Sequence, residues 1–245
     1  MRIWAIADLH LSCDPRIEKP MDIFGGVWAG HDGRLKEIWE RMVEPGDLVV
    51  IPGDISWALR LEEAVADLQW IARLPGQKLI LKGNHDLWWS GISKVKTAAA
   101  DLTSLHFLQH DAFVYGNAVI FGTRGWTCPG AKDFSEEEDG AIYRREVLRL
   151  DMSAKEAETA AQELRKQGKE PVLLAAMHYP PRNEKFEPSG FSDILQASGA
   201  KMCVYGHLHG QSAFKNGPEG TFDGVEYRLV SLDKLACCPK LIYEE

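Results

Sequence analysis

In the first third of the chain, short uninterrupted apolar runs alternate with apolar stripes at helical spacing. Arg2–Ala7 reads as a buried strand ending at Asp8. Leu35, Ile38, Trp39, Met42 and Val43 predict an amphipathic helix over Arg34–Val43, stopped by Pro45-Gly46. Leu48–Ile51 is a second apolar run, followed by Pro52-Gly53-Asp54. A second helix is predicted over Leu61–Leu74, with Leu61, Val65, Leu68 and Ala72 on one face. Leu79–Leu81 is a third strand, running into Gly83-Asn84-His85-Asp86. Strand, helix, strand, helix, strand implies parallel strands joined by crossover helices. Each strand ends on a polar cluster, and in such sheets ligands bind just beyond the carboxyl ends of strands.

The second half has a different pattern. Phe113–Tyr115, Gly116-Asn117 and Ala118–Phe121 read as an antiparallel hairpin. Tyr143, Val147, Leu150, Ala154, Ala157, Ala161 and Leu164 step by fours and threes, predicting one long amphipathic helix. Val172–Met177 is a strand ending at His178, and Met202–Tyr205 another ending at Gly206-His207. Val225–Ile242 reads as closing antiparallel strands. Arg124–Ala141, with Gly125, Pro129, Gly130 and the acidic run Glu136–Asp139, is the candidate excursion over the site, and a solvated loop and helix start is the favoured competing reading. No repeat or Pro/Gly/Ser linker divides the chain, so one domain over residues 1–245 with two packed sheets is expected.

Composition narrows the function classes. The 245 residues, 45% hydrophobic and 26% charged, suit an ordinary α/β domain. A net charge of −8 repels phosphate backbones, so no extended nucleic acid is expected as a partner. A small phosphate ester is still compatible, because bound metal ions supply positive charge locally. No stretch has the apolar length of a membrane span, and the apolar run before Asp8 is short for a signal peptide; no membrane association and a cytoplasmic location are expected. The five cysteines lack CxxC spacing, which argues against a disulfide framework or a zinc knuckle. Cys237 and Cys238 read as adjacent strand residues facing opposite ways.

The candidate chemistry lies in five motifs: Asp8-Leu9-His10, Gly53-Asp54, Gly83-Asn84-His85-Asp86, His178 and Gly206-His207-Leu208-His209. Taken singly each is weak, because strand-end turns and structural histidines are common. Together they place His10, His85, His178, His207 and His209 at or just past predicted strand ends. Asp, Asn and His offer mixed oxygen and nitrogen ligands without thiolate, a set that suits Mn²⁺, Fe or Zn²⁺. An extended backbone would put Asp8 and His10, and likewise His207 and His209, on one side of their strands. A carboxylate such as Asp54 can bridge two ions, and a metal pair can clamp the attacking and leaving oxygens of an in-line displacement. With only Asp8 and Asp54 anionic, two divalent ions would leave a net charge of about +2, attractive to phosphate.

These motifs, in this order, resemble the calcineurin-like metallophosphoesterase superfamily, and the resemblance spans positions 8 to 209. It implies a two-sheet αββα sandwich. It also implies that Asp8, His10 and His209 hold one divalent ion, that Asn84, His178 and His207 hold the other, and that Asp54 bridges them. His85 would not be a ligand; it would protonate the leaving-group oxygen or stabilise charge on the phosphoryl group. Asp86 would orient the loop. The implied reaction is hydrolysis of a phosphate mono- or diester by direct attack of a metal-bound hydroxide, with Mn²⁺ favoured. The protein serine/threonine phosphatases of the superfamily continue Gly-Asp with Asp-Arg-Gly. Here Ile55-Ser56-Trp57-Ala58 follows Asp54, which points away from phosphoproteins and towards the small bacterial phosphohydrolases.

The alternatives are a nuclease or nucleotide pyrophosphatase of the same fold, and a non-catalytic interaction scaffold. The absence of a Lys/Arg cluster counts against a nuclease, and the presence of every ligand and of His85 against a scaffold. Arg124 is a candidate to clamp a substrate phosphate, its competing role being an ion pair. Tyr179 is a candidate substrate hydrogen-bond partner, and simple packing competes. Trp57, Trp88 and Trp89 flank the motifs, where core packing is favoured over stacking on a substrate ring.

Overall fold

The computed structural model describes residues 1–245, which form two compact units, Met1–Phe107 with Val230–Glu245, and Leu108–Leu229. The fold is mixed α/β with two sheets flanked by helices, as expected. No helix is long and apolar enough to cross a membrane.

In the first unit, β1 (Arg2–Ala5), β2 (Leu48–Pro52), β3 (Gln77–Leu81) and β4 (Leu105–Leu108) lie in chain order, and β11 (Lys240–Glu244) extends the sheet beyond β1. β1 and β2 are parallel, as are β2 and β3, so the predicted rhythm forms. β2 is buried along its whole length, which is why its sequence is continuously apolar rather than alternating. The crossovers α1 (His31–Met42) and α2 (Leu61–Ala72) match the two predicted helices within a few residues. They bury Leu35, Trp39, Leu68 and Ile71 in one core with Val49, Ile51 and Ile80. Burying each such aliphatic side chain contributes about 1.5–3 kcal/mol. Trp88 and Trp89 are also buried in this core, so the packing role is the one they fill. A short α3 (Ile92–Ala98) precedes β4; neither has an apolar pattern long enough to be read beforehand.

In the second unit the sheet order is β5-β6-β7-β8-β10-β9. The hairpin of β5 (Ala112–Tyr115) and β6 (Ala118–Thr123) is antiparallel, as predicted. The long helix forms as α4 (Gly140–Lys166) and packs on β5, β6 and β7 (Val172–Met177). β6–β7 and β7–β8 (Met202–Tyr205) are parallel. The short helices α5 (Gly190–Ala197) and α6 (Gly210–Phe214) lie on either side of β8 in sequence. Gly122 permits close approach within the sheet, since a Cβ there would fall 1.7 Å from the Ala176 carbonyl oxygen.

The tail departs from expectation. β10 (Val225–Leu229) is parallel to β8 and antiparallel only to β9 (Gly220–Phe222), while β11 pairs antiparallel with β1. The stretch read as closing antiparallel strands therefore serves two sheets, and β10 is parallel to its neighbour β8. Ala7 accounts for the turn between them: its N–H donates to Val230 O at 2.8 Å, and its carbonyl accepts from Leu232 N at 3.0 Å. Cys237 and Cys238 are not strand residues; they sit in a turn in which Ala236 and Cys237 have φ of +50° and +63°.

Candidate active site

In the first unit the site is built by loops leaving the carboxyl ends of β1, β2 and β3. The first two run side by side: Asp8 N donates to Gly53 O, and His10 N to Asp54 O, each at 3.0 Å. The expected extended backbone at Asp8-Leu9-His10 is not formed. Asp8, His10 and Asp54 have φ of +61°, +46° and +54°, in the left-handed region that side-chain-bearing residues seldom occupy. β1 ends at Ala5 because of this turn. Such strain costs on the order of 1–3 kcal/mol per residue and persists where the surroundings over-determine it, characteristically at functional sites. The turn still brings the side chains together. Carboxylate oxygens of Asp8 and Asp54 lie within 4.8 Å of each other, and a His10 ring nitrogen within 4.8 Å of an Asp8 oxygen. His10 Nε2 is 3.9 Å from Asp54 Oδ2.

Asp86 organises this arrangement. Its carboxylate accepts N–H groups from Asp54 (2.9 Å), Ile55 (2.9 Å), Ser56 (3.2 Å) and Gly83 (2.7 Å), and the Trp88 indole N–H at 3.0 Å. Burial, then the neighbouring Asp54 charge, push the Asp86 carboxyl up from the usual range, and the amides of Gly83, Ser56 and Ile55 pull it back. Asp54 Oδ1 accepts the His85 N–H at 2.8 Å, setting the start of the exposed His85 side chain. Three aromatic rings meet here. Trp57 stacks on His10 at 4.5 Å and 15°, and lies 4.6 Å from His85.

Divalent metal fits these residues. Asp8 and Asp54 are 0% and 1% exposed and face each other as like charges. At an effective dielectric near 20 that repulsion is at least about 3 kcal/mol, which a shared cation reverses. Carboxylate and imidazole donors without thiolate are the ligands that Mn²⁺, Fe and Zn²⁺ take.

In the second unit β7 delivers His178, fully buried, and β8 delivers His207, with ring centroids 5.2 Å apart. His178 and Tyr179 donate their N–H groups to the Arg124 carbonyl at 3.1 and 2.9 Å, and Gly206 N donates to His178 O at 3.1 Å. The Tyr179 ring lies over His207 at 4.0 Å. Here too the extended-strand reading fails, since His207 has φ +73° and His209 stands at the start of α6. The Arg124 guanidinium is 3.7 Å from buried Glu146 and 4.7 Å above the Trp126 ring, and its buried Nε has no hydrogen-bond partner. Burial presses the Arg124 pKa down and Glu146 raises it. A cavity of about 500 Å³ adjoins His207 and Tyr179, walled by Cys128, Ala131, Lys132 and Leu208.

Two further residues support these loops without belonging to any motif. His31 holds the first loop, its Nε2 lying 2.9 Å from Leu9 O. Asp67 on α2 accepts the Ser56 hydroxyl and the Cys13 N–H. An isolated histidine or aspartate on a helix carries no motif that would reveal this.

Comparison with known proteins agrees with the motif order. The family model for calcineurin-like phosphoesterase matches residues 1–211. The Gene 66 protein of Mycobacterium phage D29 is 32% identical over 40% of this chain and 53% of its own length. Its counterpart in phage L5 is 35% identical over 34% of this chain and 39% of its own. The chain thus spans about half or less of the phage proteins it matches. The crystal structure of phosphopantetheinyl hydrolase from Mycobacterium tuberculosis superposes with a TM-score of 0.54 at 20% identity, covering 100% of this chain and 96% of that one, a likeness of fold. The chain belongs to the calcineurin-like phosphoesterase family.

Proposed function

We propose that this protein hydrolyses a small phosphate mono- or diester at a dinuclear centre, with residues 1–245 acting as one catalytic domain. Asp8, His10 and His209 would hold one ion, Asn84, His178 and His207 would hold the other, and Asp54 would be shared between them. The reading rests on the motif order and on family membership. The observation that carries it is the buried Asp8–Asp54 pair, held beside His10 by left-handed backbone. Two divalent ions, Mn²⁺ foremost, would neutralise the phosphoryl charge and activate a water for in-line attack.

The remaining steps belong to the chain's own residues. His85, exposed and anchored through its backbone to Asp54, gives a proton to the leaving-group oxygen. Arg124, always charged and with its side chain 19% exposed, offers its guanidinium to a non-bridging phosphate oxygen. Tyr179 lines the cavity beside His207, where the alcohol portion of the ester sits. The five free cysteines suit a reducing compartment, consistent with a cytoplasmic enzyme.

The test separates ligand from acid. Asp54→Asn is expected to lose both bound metal and turnover. His85→Ala is expected to keep two metals per chain and lose turnover by about 10²–10⁴-fold, the usual range for a general acid. Wild-type rates in either variant contradict the assigned roles.

A further inference from the structure

We propose that Trp57 is a positioning residue that aims the His85 imidazole and braces the His10 ring, a role that rests on the phosphoesterase reading above. The His85 side chain is exposed, and its backbone N–H donates to Asp54 Oδ1 at 2.8 Å. An exposed imidazole explores several rotamers, and a proton donor must hold one of them. The Trp57 ring supplies the wall, 4.6 Å from His85 at a 55° tilt, while the same indole stacks on His10 at 4.5 Å and 15°. The His10 and His85 rings are 5.7 Å apart, so one side chain packs against both a proposed metal ligand and the proposed acid.

The indole itself is held in place. Trp57 N donates to Leu11 O at 3.0 Å, tying it to the loop that carries His10. On one side Ser56 donates its hydroxyl to Asp67; on the other, Ala58 N donates to Ser56 Oγ at 3.0 Å. The Lys19 ammonium lies 5.0 Å from the Trp57 ring centroid, a cation–π contact. Trp57 Nε1 is buried and has no hydrogen-bond partner, so this tryptophan serves as an apolar plate and not as a hydrogen-bond donor.

The test uses Trp57→Phe and Trp57→Leu in the full chain, with p-nitrophenyl phosphate and Mn²⁺. Trp57→Phe keeps a ring and should stay within about threefold of wild type, whereas Trp57→Leu should lower kcat by about 10–100-fold with little change in KM. In a His85→Ala background, Trp57→Leu should lower kcat by much less than in the wild type, leaving only its effect through His10. NMR of ring-labelled histidine gives a readout independent of turnover: the His10 and His85 ring protons should carry ring-current shifts that Trp57→Leu removes, in metal-free and Zn²⁺-loaded protein alike. Equal turnover by Trp57→Leu and wild type, or an equal loss with and without His85, overturns the positioning role alone. A wild-type protein that binds two metals and cleaves neither p-nitrophenyl phosphate nor its bis ester overturns the phosphoesterase reading, and this role with it.

Discussion

The carboxylate of Asp86 accepts the backbone N–H of Asp54 at 2.9 Å, although the two residues carry like charge and lie on different loops. The proposed bridging ligand is therefore held at its main chain by Asp86 and at its carboxylate by the His85 N–H. Asp86→Asn would set an amide N–H₂ against donors that need an acceptor. The variant is predicted to lose about 3 kcal/mol of stability and to bind metal more weakly, read by urea unfolding and metal titration. Unchanged stability would mean that the five donors find other acceptors.

Gly83 lies against the same residue. A Cβ there would fall 2.1 Å from Asp54 Oδ1 and 2.2 Å from Asp54 N, and the main chain cannot yield as the tip of a side chain can. Gly83→Ala is predicted to displace Asp54 and to reduce metal content and turnover together, while thermal unfolding stays cooperative. Retention of two metals with full activity would count against the placement of Asp54.

Arg124 separates substrate binding from structure. Glu146 keeps a closer partner in Arg149, at 2.7 Å, and accepts the Thr123 hydroxyl at 2.7 Å, so removing Arg124 does not strand it. Arg124→Ala is predicted to cut kcat/KM by about 10–100-fold, the value of one or two charged hydrogen bonds to phosphate, with the melting temperature little changed. If instead stability falls and kcat/KM holds, Arg124 is only the ion-pair partner of Glu146.

Much of this architecture was legible in advance. The strands before Asp8, Asp54, His85, His178 and His207 each contain a short apolar run, with the candidate polar residues just beyond it. What escaped the sequence has physical causes. Left-handed φ at Asp8, His10, Asp54 and His207 is imposed by neighbouring loops and violates local preference, so a pattern read from preferences gives an extended backbone instead. β10 and β11 lie close in sequence yet join different sheets, because Val230–Cys238 turns the chain between them, and periodicity does not report which sheet a strand joins. Trp57 looked like core or a substrate platform. It does stack on rings, but they belong to His10 and His85.

Buried acidic side chains predict alkaline lability. Burial pushes the Cys128 thiol and the Tyr227 phenol up to about 12, and raises Cys203 and Tyr205 further. The unfolded chain releases these protons near 9.0 and 10.0 while the folded chain keeps them, so it binds fewer protons and stability falls as pH rises. Their contribution is complete below about pH 9 and is lost progressively above it. Lys78 acts in the opposite sense, since burial presses it down to about 8, but it is one group against several. Between pH 9 and 10.5 stability should decline, and Cys203→Ala should make the slope shallower by up to ~1.4 kcal/mol per pH unit. Parallel slopes in the two proteins would show that Cys203 does not contribute.

The most direct test of the central claim is hydrolysis of p-nitrophenyl phosphate, beside bis-p-nitrophenyl phosphate, by chelator-stripped protein with and without added Mn²⁺. The account predicts no cleavage by the stripped protein, recovery as two Mn²⁺ bind per chain, and loss of that recovery in His85→Ala. Cleavage that survives metal removal, or two bound metals without cleavage of either ester, would contradict it.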